Sequence, residues 1–359
     1  MDKSFSVMLM YVLTHLGLIF FIYPEDIIGS TDSAHWIPIS IGIIVHFVVI
    51  TIYMKGLSFF PKWDIIRIYL SEGKTVALIF LLPVTLYFFI IAILAVRAYS
   101  EIISIIFLSN TPLWSIMILL LFVSTYLASK GIEAIFRTGV LLGIIFLPLI
   151  FMISFTSFQN IDWYYAFPLF EKDFSFLTKP SYLKSFFAFA GCFLFLGFIQ
   201  PIVTYQRKKI LLAAVVLIPF FIFSVYIPIL TFGEATAVTL HFPFVVVVET
   251  INISWFMFDR VTMFFLLTLI TFSMLFISLT LWQANRIISK CMPIIKPFYL
   301  LLAISVVIFV SCLMIPDWNS VGNLFLWNTP LRFFVLVSVP LSIYFLGLRF
   351  KRKVGHELN

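Results

Sequence analysis

The side chains able to do chemistry in this chain are few, and they sit inside apolar stretches. Thr14 and His15 lie near the middle of the first stretch and His46 in the second. Thr85 and Tyr87 lie in the third, and Thr271 and Ser273 in the eighth. An imidazole can donate, accept or take up a proton, and a hydroxyl can donate and accept. Such groups at membrane depth are costly unless they face a cavity or a partner. No stretch centre carries Asp, Glu, Lys or Arg, so neither a carboxylate proton relay nor a fixed ionic clamp is visible. An anionic ligand group would meet backbone N–H groups and helix-end dipoles instead, at Gly17 or along Gly191–Gly197.

Each of these residues also has a plainer role open to it. His15 contacts a ligand or hydrogen-bonds a neighbouring hydroxyl, and Tyr87 contacts a ligand or packs. Thr271 and Ser273 contact a ligand or ion, or bond the carbonyls of their own helix. His46, in an uninterrupted stretch, is read as a structural hydrogen-bonder. Cys192, Cys291 and Cys312 form no C-x-x-C and no metal spacing. They read as small apolar fillers, with Cys192 placed where it could touch a ligand. No H-E-x-x-H, G-x-S-x-G or P-loop occurs. The paired acids Glu25–Asp26 and Glu171/Asp173 flank no histidine at metal spacing and read as solvated loop charge. No catalytic residue, metal site or cofactor is expected. Arg97 with Glu101, Asp259 with Arg260, and Glu133 with Arg137 read as structural charges at span ends, the four-apart pairs on one helix face.

The elements that hold these residues follow from composition. The chain has 359 residues, 62% of them hydrophobic and 11% charged, and a mean hydropathy of +1.14. Soluble domains carry about 25% charge, so this is an all-α integral membrane protein without room for a sizeable soluble domain. The N-terminus has no A-x-A site and a stretch long enough to span, so it does not read as a cleavable signal.

A bilayer core takes about 20 helical residues, and ten segments qualify. They run over 5–24, 36–54, 76–97, 112–129, 138–156, 185–206, 210–231, 259–285, 298–315 and 331–349. With the N-terminus inside, 17 of the 23 Lys and Arg fall in inside loops. That bias predicts ten transmembrane helices with both termini cytoplasmic. The net charge of +7 then reflects topology and contact with anionic lipid, not nucleic acid, because no basic face with interleaved aromatics stands outside the membrane. Residues 62–72 suit an amphipathic helix on the cytoplasmic surface, and residues 243–257 an external re-entrant or capping helix.

The two halves correspond. Segments 1 and 6 are both interrupted: the first carries His15, Gly17 and Pro24, and the sixth carries Gly191, Gly197 and Pro201. Glycine and proline weaken a helix, and loose backbone at membrane depth is tolerated only against protein or a cavity. Segments 5 and 10 each hold a mid-depth proline, Pro148 and Pro340. Five segments per half predicts a five-plus-five inverted repeat with interrupted helices 1 and 6 in one transmembrane domain, repeat one over 5–156 and repeat two over 185–349.

Several runs together resemble the spore-germination permeases, the B subunits of nutrient germinant receptors, within the amino acid–polyamine–organocation transporter superfamily. They are HLGLIFFIYP (15–24), DSAHWI (32–37), RAYSEI with FLSNTP (97–112), YLASKGIEAIFR (126–137), FLGFIQP (195–201) and FGEA, FP and FDR (232–260). The resemblance implies the inverted-repeat fold and a pocket between segments 1, 3, 6 and 8. Family-like pocket positions are Thr14, His15, Gly17, Tyr87, Gly191, Cys192, Phe195 and Gly197; Thr271 and Ser273 join them by depth. It further implies an amino-acid nutrient as ligand, larger A and lipoprotein C subunits as partners, and the spore inner membrane as location. A secondary amino-acid permease is the alternative with the same fold. A membrane enzyme acting on lipid-linked sugars would need acids or histidines clustered at one face, which are not found. The sequence departs from the superfamily at two places. Gly17 is followed by Leu18 and Ile19 in place of G-x-G, and Gly197-Phe198 by Ile199-Gln200 in place of an acid.

Overall fold

The computed structural model describes residues 3–170, 174–251 and 261–357, with side chains through 352. The described residues are helical and contain no strand. Helix α1 (Lys3–Ile19) is followed by a turn and the short α2 (Tyr23–Ile28). Then come α3 (Trp36–Leu57), α4 (Ile65–Ser71), α5 (Lys74–Ile106), α6 (Leu113–Ser129) and α7 (Ile132–Thr156). Three short helices follow, α8 (Pro180–Ser185), α9 (Phe187–Ala190) and α10 (Phe195–Ile199). The second half continues with α11 (Arg207–Phe232), α12 (Glu234–Ala237), α13 (Pro243–Glu249), α14 (Val261–Cys291), α15 (Pro297–Leu313), α16 (Trp318–Trp327), α17 (Thr329–Phe333) and α18 (Val339–Glu357).

Each of the ten predicted segments coincides with helical structure. Seven helical stretches are long and apolar enough to cross a membrane, and α1, α6 and α15 are shorter apolar helices. In the most apolar 18-residue window of Pro180–Ile199, 89% of the residues are buried within the protein, against 39% in that of Lys74–Ile106. The first therefore lies in the core, and the second turns one face to the surroundings. Around the core pack α1 with α11, α14 and α7, and α5 with α14.

Helix ends follow local chemistry. Asp64 starts α4 by accepting from the Arg67 amide at 2.9 Å, satisfying an orphan donor of the first turn. The predicted surface helix is thus α4, with Ile65, Ile66, Ile68 and Tyr69 buried. Pro148 lies inside α7, and Pro340 stands two residues after a π-helical turn, Phe334–Ser338. That wider turn accommodates the ring, which would otherwise meet the carbonyl four residues back. Part of the predicted capping helix is α13; residues 252–257 of that prediction, and Asp259–Arg260, lie outside the described residues. The pair Arg97–Glu101 forms, and Arg97 also reaches the Ile315 carbonyl at 3.3 Å. Glu133–Arg137 is an exposed pair at 3.5 Å.

Candidate ligand-binding site

Both interruptions are real breaks, but the first is displaced from its predicted place. Helix α1 runs through Gly17 to Ile19, and the backbone turns at Phe20–Ile22 before α2. Pro24 explains this, because its ring excludes a helical carbonyl at residue 20. Gly17 is a close-packing glycine instead. A Cβ there would stand 3.2 Å from the Cβ of Phe272 on α14, and the Gly17 carbonyl accepts from the Tyr99 hydroxyl.

The sixth segment breaks at Gly191–Leu194, between α9 and α10. Every residue from Ser185 to Ile199 is buried, as loose backbone at this depth requires. Gly197 does not contribute to the break. It sits within α10, and a Cβ there would fall 2.1 Å from the Tyr53 hydroxyl. That hydroxyl donates to the Leu194 carbonyl at 3.1 Å. Helices of four and five residues align few peptide dipoles. The expected recognition by half-helix dipoles is therefore weak here, and side chains carry more of the site's polarity.

Those side chains gather around the break. The Cys192 thiol lies 3.8 Å from the Thr14 carbonyl, joining the break to the middle of α1. The Thr14 hydroxyl itself donates to the Met10 and Tyr11 carbonyls. His15 Nδ1 bonds the Tyr11 carbonyl at 2.7 Å, while its Nε2 is buried without a partner. The His15 ring stands edge-on to His46, with centroids 5.2 Å apart. His46 in turn bonds the Tyr11 hydroxyl and lies against Phe189 of α9. From the other side comes Tyr87 of α5, whose hydroxyl is also buried and unpartnered. A Cβ on Gly191 would stand 3.3 Å from it.

The remaining candidates stand apart. Thr271 and Ser273 donate to their own helix, to the Leu267 and Ile270 carbonyls, each at 2.8 Å. Phe195 packs edge-on against Phe136 of α7. The structure thus brings together Thr14, His15, Tyr87, Gly191 and Cys192. It assigns Gly17 and Gly197 to helix packing.

An ionic cluster adjoins the break, and Asp26 belongs to it, contrary to its reading as solvated loop charge. Asp26 of α2 is 2% exposed and pairs with Lys184 of α8 at 3.0 Å. Burial pushes its carboxyl up to about 7, opposed by Lys184. Arg332 is fully buried and donates to the Leu183 and Lys184 carbonyls at 3.1 and 2.9 Å, and to the Phe325 carbonyl at 2.9 Å. It also lies over the Phe187 ring and within electrostatic reach of Tyr87 and Asp26. At the opposite end, Asp64 binds Arg286 at 2.8 Å and Lys290 at 2.5 Å. Burial opposes its charge, but Lys290, the Arg67 amide and Arg286 hold its carboxyl below the usual range.

Gln200 accounts for one departure from the superfamily pattern. Its amide nitrogen donates to the Leu57 and Phe60 carbonyls at 2.9 and 2.7 Å. A carboxylate at this place has no proton to give.

The family model for spore germination proteins, a permease-type family, matches residues 3–321. The chain belongs to this family. Comparison with curated proteins gave no match. The matched region contains α1 through α15 and therefore the whole group around the break, while Arg332 lies beyond it. Family membership and the long apolar helices make the chain a multi-pass membrane protein associated with spore germination.

Proposed function

We propose that this germination protein is the membrane subunit of a nutrient germinant receptor and that it binds a small nutrient, an amino acid, beside the Gly191–Leu194 break. The observation that carries the reading is the pair of buried, unpartnered groups flanking that break, His15 Nε2 and the Tyr87 hydroxyl. Buried polar groups ordinarily have partners, and here a small polar ligand would supply one. Binding would favour one of two arrangements of the bundle by its differential affinity, with no covalent step. The chain in this reading is a single transmembrane domain of ten helices in a five-plus-five inverted repeat. Both termini face the cytoplasm of the spore inner membrane, and A and C subunits relay the signal. The broken α1–α2 and α9–α10 segments, opening each half, support that arrangement.

The test is the germination dose response to amino acids. Gly191→Val, which meets Ile91 and Tyr87, and Tyr87→Phe should raise the half-maximal concentration at least tenfold while membrane levels stay unchanged. A wild-type dose response from both variants refutes the site. The family's permease character favours a second reading, secondary amino-acid uptake. Accumulation of labelled amino acid in vesicles holding only this chain would establish it over the sensor.

A further inference from the structure

Two grooves of similar size open among exposed apolar side chains. One, of about 350 Å³, lies between α6 and α15, and no charged residue lines it. The other, of about 430 Å³, lies between the first turns of α5 and the last turns of α14. Its walls include Leu78, Leu82 and Ile288, and it carries two cations, Lys74 and Lys290. Leu78 and Leu82 are 62% and 60% exposed.

The charges of the second groove are gathered at one end. Lys74 is the first residue of α5 and Lys290 the penultimate residue of α14. Lys74 is exposed and forms no ion pair among the described residues. Lys290 shares the single carboxylate of Asp64 with Arg286, so the three charges sum to a net positive. Glu72, two residues before Lys74, is exposed and does not line the groove. From Lys74 the groove follows α5 to Thr85. Eleven residues of helix rise roughly 16 Å, close to half of the roughly 30 Å hydrocarbon core. A cationic end on an apolar channel one leaflet deep matches an anionic headgroup on an acyl chain.

We infer that this groove binds an anionic phospholipid, with its phosphate between Lys74 and Lys290 and one acyl chain along Leu78, Leu82 and Thr85. The lipid draws on the same lysine that helps tie α4 to α14. The site is independent of the nutrient reading and needs only the multi-pass membrane character of the chain.

Native mass spectrometry of the purified full chain, released from micelles supplied with phosphatidylglycerol or phosphatidylcholine, tests it. Wild type should retain phosphatidylglycerol in preference to phosphatidylcholine. Lys74→Gln should weaken retention about fivefold, the effect of one cation near an anionic surface. Leu82→Trp, which obstructs the channel without changing charge, should weaken it similarly. Leu302→Trp in the uncharged groove should have no effect. Lys74→Gln leaves the Asp64 pairs intact and so separates lipid binding from folding. Unchanged retention in either Lys74→Gln or Leu82→Trp overturns the site. So does displacement of the lipid by an equal concentration of inorganic phosphate, which would mark a phosphate site without a tail channel.

Discussion

The two broken segments are built differently. The break after α1 is imposed by Pro24 and filled by aromatic rings. Phe20 packs on Phe244 and Phe265, and Phe21 stacks on Tyr99 and Phe242. The break after α9 contains Gly191 and no proline, and unpartnered polar groups collect around it. Each is nonetheless fastened by one tyrosine from a neighbouring helix. Tyr99 of α5 donates to the Gly17 carbonyl beside the first break, and Tyr53 of α3 to the Leu194 carbonyl in the second. Loose backbone at membrane depth thus calls for an outside donor in both cases. Hydrogen-bonding capacity is left beside both, in the Tyr23 hydroxyl just after the first break and in His15 Nε2 and the Tyr87 hydroxyl around the second.

The sharpest way to break this comparison is at Gly197. Gly197→Ala pushes a methyl into the Tyr53 hydroxyl and should cost about 1–3 kcal/mol, the usual range for overpacking, read as a lower unfolding midpoint in detergent. Adding Tyr53→Phe removes the obstructing oxygen and should restore part of that loss. A strictly additive double variant would show that the two groups do not meet.

The two tyrosines give a smaller effect. Tyr99→Phe takes the hydroxyl donor from the buried Gly17 carbonyl, at about 1–2 kcal/mol. Tyr53→Phe should cost less, because the Leu194 carbonyl still accepts from the Gly197 amide at 3.1 Å, but only Tyr53→Phe should also shift the nutrient dose response. Equal shifts from both would erase the distinction between the breaks.

A pH-dependent effect comes from the ion pair that joins α2 to α8 beyond the breaks. The Asp26 carboxyl is raised by burial to about 7, so the fold favours its protonated form. That contribution is full below about pH 4, the ordinary carboxylate range, and is lost as pH rises through 7. The unfolding midpoint should therefore fall between about pH 4 and 7, and Asp26→Asn should flatten that slope. A slope unchanged in Asp26→Asn would assign it to another group.

Much of the fold was legible because membrane crossing demands long apolar runs, and each predicted run falls on helix, seven of them of membrane-crossing length among the described residues. The sixth-segment break was legible through Gly191 for a similar reason, since glycine inside an apolar run is costly. What was not legible depended on contacts across the chain. Glycines that loosen backbone and glycines that admit a neighbour look alike in sequence, and so Gly17 and Gly197 were read as interruptions although each lies within a helix. Proline breaks the turn before itself, which moved the first break from Gly17 to Phe20–Ile22. Asp26 and Arg332 stand at segment ends, where sequence suggests solvent, yet tertiary packing encloses both. Helix α16 was missed because ten residues fall short of a span.

Gln200 has a consequence for how the protein sits in an electric field. With an amide at that position, the run from Phe186 to Tyr205 contains no formally charged side chain apart from what can be brought by a ligand. A charge carried across a membrane exchanges about 2.3 kcal/mol with each 100 mV of potential. A rearrangement confined to this run displaces no such charge. Its equilibrium is then set by packing and by ligand occupancy, at the same threshold in a polarised and a depolarised membrane.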